Sequence, residues 1–270
     1  MTRPYAEVIG DPVAHSKSPL IHLFWLDRLG MDGDYRAVQV KAADIGAYLS
    51  ARQDDPAWRG CNVTMPLKQA IIPHLSALDA TARKAGAVNL VGYDYIGRNS
   101  DVAGISGVLT SHELAADGNA HIIGTGGAAR AAVAGVLAAG IGAAQIHIHG
   151  RDPGKAADLA GEMLGARHQS GTIARLTLAN SGLLINATPL GMTGYPQLPI
   201  LLDGAAPELI VYDLVYNPME TPLLQQARKR GLRVYDGLDM LIGQAAEAFA
   251  LFFGAQPPRM HDADLKARLL

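Results

Sequence analysis

The clearest chemical signal in this chain is the run Gly124-Thr125-Gly126-Gly127-Ala128-Ala129-Arg130, which follows a short apolar strand and opens an Ala-rich helix. The first glycine permits a sharp turn, and the second lets backbone approach a pyrophosphate. The helix start then offers free N–H groups and a positive dipole end. Ala129 stands at the third glycine position of the fingerprint, a replacement that the fingerprint tolerates. Gly124, Gly126, Gly127 and Ala128 are therefore candidate dinucleotide-binding residues, although a tight strand–helix turn without a ligand would use the same residues. The next strand ends in Gly150-Arg151-Asp152-Pro153-Gly154-Lys155. An acidic residue there holds a ribose 2′-hydroxyl, whereas a cation holds a 2′-phosphate. The chain offers both, with Asp152 for the first and Arg151 and Lys155 for the second, and a solvated turn is the plain alternative.

A second group of polar residues lies in the first hundred positions. Ser16 and Ser18 stand just before a helix, where two hydroxyls suit a carboxylate and where Ser18 also suits an N-cap, with Pro19 as the first helical residue. Asn62 and Thr64 share one face of a strand, facing either a ligand or nearby backbone. Asn99-Ser100-Asp101 falls at the joint between two α/β blocks, a position that fits a cleft and also fits a turn. His147 and His149 share a strand face, but no carboxylate or cysteine stands at ligand spacing, and they read as edge or surface residues. No metal site is expected. Cys61 is the single cysteine, so an internal disulfide and any multi-cysteine metal site are excluded, and a buried inert thiol is expected there.

These residues need a scaffold, and the sequence alternates strand and helix from end to end. Strands are expected near residues 6–10, 35–40, 60–64, 87–91 and 93–96, the last two forming a hairpin. Helices are expected over 18–29 and 42–51. A second block opens near Val102, with strands at 120–124, 145–149, 183–186, 209–213 and 234–235 and helices at 127–139, 156–164 and 221–230. Residues 183–186 and 209–213 are apolar enough for burial on both faces. The alternation predicts largely parallel sheets, with the second block a Rossmann-type unit. A helix over 240–253, containing Gln244, has no place in that block by pattern alone.

Composition agrees with a folded α/β chain. Of 270 residues, 49% are apolar and 18% are charged, which excludes a disordered chain. The formal net charge of −2 provides no basic footprint for nucleic acid and no polybasic membrane anchor. No signal-like or membrane-spanning run is present, so a cytoplasmic protein is expected.

Taken in order, the motifs resemble the shikimate dehydrogenase family. They are residues 15–19 (HSKSP), 62–68 (NVTMPLK), 85–89 (AGAVN), 99–101 (NSD), 124–130 (GTGGAAR), 186–188 (NAT), 212–216 (YDLVY) and 236–244 (DGLDMLIGQ). The resemblance implies a two-domain α/β fold. A discontinuous substrate domain covers 1–102 and 238–270, with a Rossmann domain over 103–237 and the C-terminal helix returning to the first. It implies reversible reduction of 3-dehydroshikimate to shikimate, with Lys68 and Asp101 as the catalytic pair. Ser16 and Ser18 would hold the substrate carboxylate, and Asn62, Thr64, Asn89, Tyr216 and Gln244 the rest of the ring acid. Thr188, Leu214 and Gly237 would join the glycine loop, Arg151, Asp152 and Lys155 at the cofactor. That cofactor would be NADP, with NAD as the alternative because Gly150-Arg151-Asp152 departs from the family's usual Asn-Arg-Thr. Other readings are a quinate/shikimate enzyme of broader specificity and a catalytically weak ligand-binding relative. The partner is a small molecule, and the chain would be a monomer or homodimer.

Overall fold

The computed structural model describes residues 2–111, 118–165 and 169–270. The chain forms two compact units, Met1–Ser100 together with Ile242–Leu270, and Asp101–Leu241.

The first unit holds β1 (Tyr5–Gly10), α1 (Ser18–Leu29), β2 (Asp34–Gln39), α2 (Ile45–Ser50), β3 (Trp58–Val63), α3 (Leu67–Ala70), β4 (Ala77–Leu78), α4 (Ala80–Ala85), β5 (Leu90–Gly92) and β6 (Ile96–Arg98). Its six strands run in the order β2-β1-β3-β5-β6-β4. The sheet is mixed rather than largely parallel. β1 lies parallel to β2 and β3, but β5 runs antiparallel to both β3 and β6. The short connection of the expected hairpin reverses the chain between β5 and β6. Ile9, Trp58, Cys61, Val63, Leu67 and Val91 pack one core cluster of this unit. Burial pushes the Cys61 thiol up to about 12, so it is inert, as its place in an apolar strand suggested. An aromatic group lies on α1 and β2, where His22 stacks on Tyr35 with ring centroids 4.0 Å apart and contacts Trp25 edge-on.

α5 (Ser100–Ser111) enters the second unit at Asp101, and that unit continues with β7 (Asn119–Ile123), α6 (Gly127–Ala138), β8 (Ile146–Gly150), α7 (Pro153–Leu164), β9 (Gln169–Thr172), β10 (Ser181–Asn186), β11 (Ile210–Asp213), α8 (Pro222–Lys229) and β12 (Arg233–Tyr235). The strand order is β12-β11-β10-β7-β8-β9, with every pair parallel. This is the doubly wound dinucleotide order, with the first strand at the switch point. β10 and β11 are buried along their whole length, as their apolar runs predicted. β9 is a strand that the pattern missed, because Gln169-Ser170-Gly171-Thr172 carries no apolar residue. α9 (Gly237–Phe253) leads back to the first unit and α10 (Asp262–Leu269) ends the chain. Among the described residues no helix is long and apolar enough to cross a membrane.

Candidate active site

In the first unit the polar residues gather where β3, the segment before β5 and the start of α5 end. Asn62 is buried on β3, and its carboxamide is engaged at both ends. It accepts from the Tyr35 hydroxyl at 2.6 Å and donates to the Asn89 carbonyl at 3.3 Å. Asn89 in turn accepts from the Ser100 N–H at 2.7 Å and donates from Nδ2 to Ser100 Oγ at 3.0 Å and to Gln244 Oε1 at 3.5 Å. Asn99 donates to the Ala87 carbonyl at 2.8 Å. Asn62, Asn89, Ser100 and Gln244 are thus brought together by a buried hydrogen-bonded chain. In it Asn62 is a strut whose polar atoms are already committed.

Thr64, half-buried, leaves β3 beside Gly10, where a Cβ on the glycine would meet the Thr64 methyl at 2.5 Å. Only glycine lets β1 approach that closely. Thr64 accepts the Leu67 N–H at 2.9 Å, so it closes the turn that presents Lys68 on α3. Lys68 is half-buried, and its carbonyl accepts from the Val88 N–H at 2.7 Å, which ties α3 to the Asn89 segment. Asp101 is buried in the first turn of α5, where a carboxylate is favoured by the helix dipole.

Ser18 is not the N-cap of α1. The helix already includes it, with Pro19 second and Lys17 at the cap position. Ser16 instead accepts from the Ser18 N–H at 3.3 Å, satisfying one of the first-turn donors from two residues upstream.

In the second unit the glycine loop has the form a phosphate requires. Gly124 has φ +129°, and a Cβ there would sit 2.9 Å from the Ala187 carbonyl. Gly126 is the N-cap of α6 in an extended conformation, and no side chain caps the helix. A Cβ on Gly126 would meet nothing within 4 Å. Gly127 and Ala128 form the first turn of α6, and helix-start N–H groups are a donor set that fits a pyrophosphate. Asp152 is occupied otherwise, as the N-cap of α7. Its Oδ1 accepts from the N–H groups of Gly154 at 2.9 Å and Lys155 at 3.3 Å. Arg151 and Lys155 are exposed beside it.

Thr188 is placed by Asn186, whose Oδ1 accepts from both the Thr188 N–H (3.1 Å) and hydroxyl (2.7 Å). Asn186 donates in turn to the Leu190 carbonyl and to Asp213 Oδ1. Asp213 is fully buried, and burial pushes its carboxyl up to about 6 even though Thr221, Val215 and Asn186 all donate to it. Gly237 packs so tightly that a Cβ would lie 2.2 Å from the Leu214 carbonyl, which fixes Leu214 and the start of α9 against each other. Tyr216 is half-buried, and burial raises its phenol above the ordinary value.

Sequence reasoning missed Tyr35, Asn186 and Asp213 as positioning groups. Asn186 and Asp213 fall inside motifs singled out earlier, whereas Tyr35 carried no signal. His147 and His149 are not on an edge strand, and His149 is not a surface residue, whereas His147 is half-buried. β8 lies between β7 and β9, His149 is buried, and both sit beside His121 of β7.

Fold and site define a two-unit α/β protein with a Rossmann-type sheet, a glycine turn shaped for a dinucleotide phosphate, and a carboxamide-rich polar site in its other unit. Residues 8–91 match the family described as the shikimate dehydrogenase substrate binding domain, and residues 237–259 match the shikimate 5′-dehydrogenase C-terminal domain. The chain is 46% identical to a shikimate dehydrogenase (NADP(+)) of Sphingopyxis alaskensis, over 99% of this chain and 97% of that one. It superposes on the shikimate 5-dehydrogenase of Thermus thermophilus in complex with NADP(H) and shikimate with a TM-score of 0.87. That pair is 33% identical and covers 99% and 100% of the two chains. The quinate dehydrogenase of Corynebacterium glutamicum in complex with NAD is 26% identical with a TM-score of 0.86, covering 98% and 99%. The chain belongs to the shikimate dehydrogenase family.

Proposed function

We propose that this chain is a shikimate dehydrogenase that reversibly reduces 3-dehydroshikimate to shikimate with NADPH, in the biosynthetic route to aromatic amino acids. The observation that carries this reading is the 46% identity, spanning nearly both chains, to a relative of that activity. We assign the ring acid, Tyr216 apart, to residues 1–102 and 238–270 and the dinucleotide to residues 103–237. Ser16 and Ser18 take the substrate carboxylate at the start of α1. Thr64, Asn89, Tyr216 and Gln244 hold the ring hydroxyls. Asn62 acts by bracing Asn89.

Bound NADP supplies the hydride acceptor, and NADPH the donor. Gly124, Gly126, Gly127 and Ala128 hold its pyrophosphate, with Thr188, Leu214 and Gly237 forming further wall. Arg151 and Lys155 clasp the 2′-phosphate, and Asp152 holds their backbone in place as the cap of α7. That commitment of Asp152 favours NADP over NAD, since an acidic ribose ligand would be needed for the latter.

Lys68 and Asp101 carry the proton. In reduction the pair delivers it to the forming alkoxide oxygen, and in oxidation it takes the hydroxyl proton back. A Lys68 ammonium also stabilises negative charge on that oxygen. Acting on a small acid, the chain needs neither nucleic acid nor a membrane, and we place it in the cytoplasm as a monomer or homodimer.

The test crosses shikimate and quinate against NADP and NAD, following nicotinamide reduction by absorbance, for wild type and Lys68→Ala. The expected result is turnover with shikimate and NADP, and a loss of about a hundredfold or more in kcat for Lys68→Ala with little change in shikimate binding. Near-normal kcat in that variant refutes the role of Lys68. Preference for quinate or NAD moves the chain toward the broader enzymes, and silence in all four combinations from folded protein leaves a ligand-binding relative.

A further inference from the structure

The second unit contains a cluster of imidazoles that the proposed reaction does not use. β7 and β8 pair in parallel, with His121 opposite His147 and Ile123 opposite His149. His147 and His149 are two apart and so share a face, and the register sets His121 beside them on it. The ring of His121 lies 4.8 Å from that of His147 and 5.1 Å from that of His149, centroid to centroid. One nitrogen from each of the three rings falls within 4.8 Å of the others. His121 Nδ1 and His149 Nε2 are 2.9 Å apart.

Packing alone does not account for this arrangement. The opposite face of the same strands carries Ile122 and Ile148, fully buried and purely apolar. His121 is 4% exposed, and neither its Nε2 nor that of His147 has a hydrogen-bond partner among the described residues. An unmet buried polar group costs about 1–3 kcal/mol, so isoleucines would serve a structural face better. The cluster also borders a cavity of 690 Å³, lined by Asn119, Gln169, Arg175, Asn180 and Ser181 among others. The Ser181 hydroxyl on that wall also has no hydrogen-bond partner among the described residues.

We propose that His121, His147 and His149 form a binding site for a borderline divalent d-block cation of the zinc class. Three imidazoles without thiolate or carboxylate favour such an ion over magnesium or calcium, which require oxygen ligands. Metal–nitrogen bonds of about 2.0–2.1 Å place tetrahedral donors about 3.3 Å apart, so an ion would draw together nitrogens that now lie within 4.8 Å of one another and would replace the 2.9 Å contact between His121 and His149. Burial holds the three rings below the ordinary histidine range, so each is neutral and offers a lone pair. Three protein ligands leave a coordination position for water from the cavity. The ion would bind to one face of the dinucleotide sheet. It would reach the glycine loop only through backbone, since the His149 carbonyl accepts the Gly124 N–H at 2.8 Å.

The experiment titrates Zn²⁺ into metal-stripped, full-length protein by calorimetry. It repeats the titration with Co²⁺ while following visible absorption, and compares His147→Gln and His149→Gln. One equivalent is expected, with cobalt bands of a nitrogen-ligated site, and each variant should weaken binding by about a hundredfold. In parallel, nitrogen-15 spectra of the imidazole rings of wild-type protein need no substitution, so a variant that fails to fold does not blunt the test. Zinc should shift three of the nine histidines, assignable to His121, His147 and His149. No binding, binding unchanged in both variants, or shifts confined to other histidines overturns the proposal.

Discussion

Asp213 is the group whose environment makes the sharpest quantitative demand. It is fully buried at the end of β11, and burial raises its carboxyl from the ordinary 3.8 to about 6. A raised folded-state value means that the folded chain binds the proton more tightly than the unfolded chain. Asp213 therefore favours folding most when protonated, and that advantage is lost as pH climbs from 3.8 through about 6. At ~1.36 kcal/mol per unit, the ionised carboxylate costs about 1 kcal/mol near pH 4.5 and about 3 kcal/mol near pH 7.5. Asp213→Asn keeps the acceptor for the Asn186 and Val215 N–H groups and removes the titration. Buried His22, His121 and His149 have the opposite sign, since their lowered values make folding less favourable as pH falls below 6.5. They are common to both proteins and cancel in the difference. Denaturant unfolding of wild type and variant should thus give a stability difference that moves by about 2 kcal/mol in favour of the variant between pH 4.5 and 7.5. For a chain this size that is a relative melting shift of about 3–4 °C. A difference that stays flat across this range refutes the assignment of a raised Asp213.

The other expectations rest on different observations. Glu7 is buried and held by a bidentate Arg52 and by the Tyr48 hydroxyl at 2.6 Å. Arg52→Met should cost about 3–5 kcal/mol in denaturant unfolding by leaving that charge unpaired, and Glu7→Gln in the same chain should restore much of the loss. Gly124→Ala places a methyl 2.9 Å from the Ala187 carbonyl at φ +129°. NADP affinity measured by calorimetry should fall at least tenfold, an effect of about 1.4 kcal/mol or more, while shikimate affinity holds. Arg151→Ala should raise KM for NADP well above any change for NAD, and equal changes would remove Arg151 from the 2′-phosphate.

Much of the scaffold was readable because its signals are local. A glycine run between an apolar strand and an Ala-rich helix, and apolar segments such as Leu183-Leu184-Ile185, specify a parallel sheet without knowledge of anything distant. The signals failed where the decisive partner is remote in sequence. β9 has polar residues throughout and is a strand only because β8 offers it an edge. His147 and His149 look like surface residues until the register brings up His121, 26 positions before His147. Asp152 satisfied two readings at once, and only the start of α7 decides that its Oδ1 serves backbone. Ser18 was misplaced by one position because Ser16 satisfies its N–H from upstream, which no local pattern distinguishes.

The carboxamides explain why the site is built from asparagine rather than from the aspartates that turns accept equally well. Each sits where two segments must be held by one side chain that both donates and accepts. Asn186 accepts twice from Thr188 and donates to Leu190 and to Asp213. A carboxylate there would lose both donations and face the carboxyl of Asp213. Asn89 accepts from the Ser100 N–H while donating to Ser100 Oγ and Gln244, and Asn62 joins Tyr35 to the Asn89 backbone. A neutral group with both polarities satisfies such positions without a buried charge, which would otherwise need its own partner. Outside the buried carboxyl of Asp213, the charged groups assigned to function are Lys68 and Asp101, for the proton chemistry, and Arg151 and Lys155, for the phosphate. Asn89 ties the segment bonded to the Lys68 carbonyl to the start of α5 at Ser100, and Asn186 separately fixes Thr188 in the second unit, so a substitution at either acts on geometry before it acts on chemistry.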